Sequence, residues 1–158
     1  MFLGVTMSEL LLFLHLLFAM TWLGGSIYIE ALLAGARRAD DGRTWMRTFL
    51  RIGDTNKRLF TVAGIGTIVF GFWLVFDRAA YEFEQAWVVL AIVLVLVSVG
   101  LGAMYLTPRS QQIADLVAEN GLEDPEAISL AKQVVNVAHL NVLLLAVVLV
   151  LMIWKPGL

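Results

Sequence analysis

Not one cysteine occurs among the 158 residues. That absence excludes disulfides, thiolate metal sites, iron–sulfur clusters and a cysteine nucleophile. Charge is also scarce. Asp, Glu, Lys and Arg make up 15% of the chain, against roughly 25% in an ordinary soluble domain. The net charge of -2 leaves no basic face for nucleic acid in the totals. Phosphate-loop, G-x-S-x-G and H-E-x-x-H signatures are missing. Gly64 and Gly66 lie inside an apolar run rather than after a strand, so they are not a nucleotide fingerprint. No internal repeat and no low-complexity segment is visible.

What remains is apolar. Hydrophobic residues make up 60% of the chain, with a mean hydropathy of +0.85. A soluble domain of this length has too little interior to hide that surface. The composition therefore predicts an integral membrane protein forming a single membrane domain over residues 1–158. A helical span needs about 20 mostly apolar residues. Four stretches qualify, near 10–33, 59–76, 86–106 and 134–154. None alternates like an outer-membrane strand, so the expected fold is all-α, an up-down bundle of four transmembrane helices. Ala34-Gly35-Ala36 resembles a signal cleavage site. No basic region precedes the first run, which is also too long, so it is read as a retained span.

Lysine and arginine placement predicts the orientation. Nine of them fall in the first and third connections and two, Arg78 and Lys155, at the opposite end. The expected location is the inner (plasma) membrane, multi-pass, with both termini outside and the first and third loops cytoplasmic. Trp73, Trp87 and Trp154 would form an aromatic belt at the outer ends of the spans.

Local signals mark the helix ends. Thr6 and Glu9 have capping-box spacing. Asn120-Gly121 reads as a stop, and Asp124-Pro125-Glu126 as an N-cap followed by a first turn. A helix from Pro125 to Trp154 would measure about 44 Å. That exceeds the ~30 Å hydrocarbon layer, so helices three and four should project beyond it. Pro108 predicts a kink or break in helix three. Arg43, Arg47 and Arg51 line one helical face, and Trp45, Met46, Phe49 and Leu50 another. This predicts an amphipathic interfacial helix before span two, facing lipid. Ala63, Thr67 and Gly71 with Gly64, Ser98 with Gly102, and Gly24-Gly25-Ser26 form small-residue faces. Such faces serve close helix packing, or make room for a flat cofactor.

Two histidines carry the chemistry. His15 lies within span one, on a face shared with Phe18, Ala19, Trp22 and Ser26. An imidazole in a span needs a partner, so His15 is either a ligand or a hydrogen-bonded structural residue. His139, near the other end of span four, is a second metal site or a polar residue satisfied by Asn136 or water. The two differ in depth by about 15 Å, too far for one haem iron. A haem on His15 alone, or with Met152 or water as second ligand, stays open. Met20, Met104 and Met152 form no paired methionine motif for a copper path. Glu30, at the inner end of span one, is expected to pair with Arg37, Lys57 or Arg58.

The run from His15 to Gly25 resembles a first-helix signature, H-x6-W-x-G-G, of copper-resistance D-type membrane domains. It is also similar to a family of small predicted integral membrane proteins, whose close resembles Met152-Ile153-Trp154-Lys155-Pro156. A more distant resemblance is to the four-helix, haem-binding bacterial protoporphyrinogen oxidase, through His15 and through Lys57-Arg58-Leu59-Phe60. The resemblance implies haem b on His15, with Trp22, Gly24 and Gly25 as pocket or packing positions. It frames three expectations of function. The first is haem b binding in redox or haem handling. The second is an accessory or assembly subunit, in a homo-oligomer or a larger membrane complex. The third is metal (copper) transport.

Overall fold

The computed structural model describes residues 6–38, 41–77 and 85–156, with the backbone alone at 54–56. Arg78, one of the two basic residues counted at the outer end, lies outside them. All the regular structure among the described residues is helical. The elements are α1 (Met7–Arg38), α2 (Gly42–Asp77), α3 (Ala86–Gly100), a π-helical turn (Leu101–Leu106), α4 (Thr107–Asn120) and α5 (Pro125–Trp154). Four helices are long and apolar enough to cross a membrane.

The predicted helix ends are seen. The Thr6 N–H donates to Glu9 Oε2 at 2.8 Å, and the Glu9 N–H donates back to Thr6 Oγ1 at 3.3 Å. This is the reciprocal capping box. α4 stops at Gly121, whose φ of 94° is easy only without a Cβ. Asp124 caps α5 by accepting from the Ala127 N–H at 2.8 Å.

Pro108 does not break its helix. A proline has no N–H and its ring collides with the carbonyl four residues back. The chain widens into the π-helical turn just before it, with the Thr107 N–H donating to the Gly102 carbonyl. Helical structure therefore continues from α3 into α4.

α1 and α2 form an antiparallel pair in register from end to end. At one end Ser8 Oγ donates to Asp77 Oδ2. Farther along, His15 packs on Gly71, Trp22 on Gly64, and Phe60 on Gly25. α5 packs on α3 and α4 and more lightly on α1. α2 and α3, neighbours in sequence, scarcely touch among the described residues. A small cluster of Trp22, Ala63 and Leu145, with Val95 and Val99 against it, ties all four spans together.

The second core lies at the arginine-rich end. There Trp45, Met46 and Phe49 of α2 are buried with Leu33, Ile113, Ala127, Leu130, Ala131, Val134 and Val135. An amphipathic helix does precede span two, and the correction concerns only what its apolar face covers. The segment is helical and amphipathic, but it is the first part of α2 itself. Its apolar face meets α4 and α5 instead of facing lipid. Sequence pattern does not separate the two outcomes, because an apolar stripe suits a protein partner and a bilayer equally. Trp87 is a second correction. It is buried, and its Nε1 donates to Gln85 Oε1 at 3.0 Å, whereas Trp73 and Trp154 are exposed as an aromatic belt requires.

Candidate functional site

α1 carries three of its ring side chains on one stripe, and α2 answers with small residues. His15, Phe18 and Trp22 are spaced so that they share a helical face. A Cβ on Gly66 would sit 2.5 Å from the Phe18 ring, and one on Gly71 would sit 2.9 Å from His15 Cε1. Phe18 also stacks on Phe70, with centroids 5.6 Å apart. Near Phe60 the arrangement reverses, because there α2 supplies the ring and Gly25 of α1 the space. In lipid, apolar surface gives helices no reason to associate, so close packing at small residues holds them together.

His15 is 5% exposed. Its Nδ1 lies 2.9 Å from the Thr67 carbonyl oxygen. A carbonyl only accepts, so Nδ1 carries the hydrogen, and in the neutral ring Nε2 keeps the lone pair. That tautomer is the one metal-bound histidines adopt. The space beside it tells against a haem. The small-residue face of α2 is filled by His15, Phe18 and Trp22, so a macrocycle seated there would force α1 and α2 apart. Trp22 is buried as a packing residue over Gly64, and Gly25 is filled by Phe60. Gly24 is exposed, with nothing within 4 Å of where a Cβ would stand. On these contacts, Trp22 and Gly25 serve as packing positions between α1 and α2.

His139 is not satisfied by Asn136. Its Nδ1 lies 2.6 Å from Glu30 Oε1, and this correction also removes Arg37, Lys57 and Arg58 as the expected partners of Glu30. The contact has ion-pair distance without an aligned hydrogen bond, and Glu30 Oε1 itself is buried. Sequence spacing had no means to pair them, since 109 positions separate the two in the chain. Glu30 lies about 22 Å along α1 from His15, so the histidines occupy separate levels, as expected.

Beside this pair is a cavity of about 230 Å³, bounded by α1, α2 and α5. Arg37 and Arg38 line it, and the Arg37 guanidinium stands 5.5 Å from the centroid of the Trp45 ring. Leu33 and Val135 provide apolar wall. The residues repeat as Glu30, Leu33, Ala34, Arg37 and Arg38 along α1 and as Val135 and His139 along α5. Each set is one helical face.

Two further polar side chains are buried among the spans. Ser98 is 1% exposed and Asn141 8%. Among the described residues, Ser98 Oγ and Asn141 Oδ1 have no hydrogen-bond partner. Sequence reading placed Ser98 in a packing face, and it gave Asn141 no role. Among the described residues, no group of three or more His, Asp or Glu side chains is arranged to hold a metal ion.

No curated protein and no solved structure matches the chain. A family model described as a predicted integral membrane protein matches residues 9–156, and that description names neither haem nor copper. Four apolar helices and a match over nearly the whole length place this chain in that family of predicted integral membrane proteins, DUF2269.

Proposed function

We propose that the chain is a non-catalytic subunit or assembly factor that works inside a larger membrane complex. The observation behind this reading is the thinness of its own bundle. Only 17% to 28% of each apolar stretch is buried within the protein. α2 and α3 scarcely meet, and Phe13, Met20, Phe76 and Met104 stand more than half exposed. Such a surface serves lipid and partner helices alike. The run from His15 to Gly25, the segment singled out for chemistry, serves to lock α1 to α2. The lysine and arginine tally favours the cytoplasm for the basic end.

The test is purification of the full chain from its own membrane in a mild detergent, followed by mass measurement and an absorption spectrum. The expected result is a defined assembly heavier than one chain and no Soret band. A single chain with a Soret band that His15→Ala abolishes would overturn the reading in favour of haem b. Metal-dependent growth or uptake lost on deletion would favour transport. Orientation is checked with an impermeant thiol reagent on intact cells. Ala80→Cys should label and Asp41→Cys should not.

A further inference from the structure

We infer that the cavity at the basic end is a binding site for the phosphate group of an anionic membrane lipid. Arg37 and Arg38 would be its ligands.

Charge is the first argument. Arg37 and Arg38 both line the cavity, and among the described residues neither lies within ion-pair distance of a carboxylate. The one acid in the wall, Glu30, contacts His139 Nδ1 at 2.6 Å. Two arginines against one carboxylate leave the cavity an excess of positive charge. A guanidinium presents a fixed fork of donors that suits phosphate oxygens in pairs. Trp45 holds the Arg37 fork from one side, which limits the freedom lost on binding.

Height is the second argument. The apolar run of α1 ends at the cavity, where Leu33 gives way to Arg37 and Arg38. That is the level of the headgroups for a span beginning near Leu10. Leu33, Trp45 and Val135 belong to the core at the basic end, so the cavity sits against that core. A site of this chemistry accepts a lipid phosphate or a free phosphate; its level, at the end of the apolar run of α1, favours the lipid.

The experiment uses the full chain in phosphatidylcholine nanodiscs, with phosphatidylglycerol titrated in and bound lipid counted by native mass spectrometry. Arg37→Gln/Arg38→Gln should weaken phosphatidylglycerol binding by about tenfold or more. Arg47→Gln/Arg51→Gln removes equal charge from the same end and should leave binding within about threefold. Circular dichroism melts of both variants verify that the bundle is intact. Equal losses in the two variants would reduce the effect to diffuse surface charge and overturn the site. In a separate arm, inorganic phosphate is titrated without anionic lipid. Binding there that depends on Arg37 and Arg38, and competes with phosphatidylglycerol, would overturn the lipid as occupant.

Discussion

The two packed regions of this protein obey different rules. Between the ends of the spans, α1 and α2 are joined by rings seated on Gly64, Gly66 and Gly71, and few residues are fully enclosed. At the basic end, Met46, Ile113, Ala127 and Ala131 are completely buried in an apolar cluster from four helices. Lipid does not reward the burial of a leucine, so contact must come from shape and from hydrogen bonds such as that of His15 with Thr67. Beyond the hydrocarbon layer water does reward it, at about 25 cal/mol per Å² of apolar surface. The same chain thus joins its spans by rings set on glycines and closes its basic end with an apolar core.

The strongest test of that contrast is truncation at the basic end. Met46→Ala or Ile113→Ala should cost about 2–5 kcal/mol, read from reversible unfolding in detergent, because each leaves a cavity in a water-side core. A loss below about 1 kcal/mol would mean the cluster is not driven by water. Next is overpacking in the spans. Gly71→Leu should cost about 1–3 kcal/mol by driving a side chain into His15. Gly24→Leu, at an open position, should cost nothing measurable. Equal effects at the two glycines would refute the ring-into-glycine register.

His15→Leu comes third. Loss of one interhelical hydrogen bond in a bundle is worth roughly 0.5–1.5 kcal/mol. A far larger loss would give His15 a role beyond joining two helices. Smaller still is Asn141→Leu. It removes a buried acceptor without a partner, so stability should hold or rise slightly. A clear fall in stability would show that Asn141 is bonded in the assembled protein.

The smallest effect concerns Arg43 and Glu123, which meet at 2.8 Å on the exposed surface of the basic end. The hydrogen bond from Arg43 lowers the Glu123 pKa below the ordinary glutamate value, and its charge lowers it further. A depressed folded-state pKa stabilises the protein above the unfolded value, and that contribution is lost as pH falls through the folded one. The melting-temperature difference between the wild type and Glu123→Gln should be small at neutral pH, shrink as pH falls below the ordinary glutamate value and vanish below the depressed folded value. High salt should remove it as well. A difference that persists in acid would assign the change to something other than charge.

Much of the architecture was legible in the residues. Four apolar runs of span length, the Thr6–Glu9 cap, the stop at Gly121 and the Asp124 cap are local signals, each contained within one helix or its ends. The small-residue face of Ala63, Thr67 and Gly71 was legible too, because spacing by four puts all three on one side of a helix. Which chemistry belongs to His15 was not legible. An imidazole among leucines calls for a partner without naming it, and the Thr67 carbonyl carries no side-chain signature.

Sequence by itself thus determined the class of protein, the four apolar runs of span length and the helix ends marked at Thr6, Gly121 and Asp124. These follow from hydropathy and from hydrogen bonds between near neighbours. Only the tertiary structure decided what covers each face. It turned Trp45, Met46 and Phe49 toward protein, filled the glycines with rings, and joined Glu30 to His139 across two helices. Such pairings depend on the rotation and register of one helix against another, and a periodic pattern along one helix contains neither.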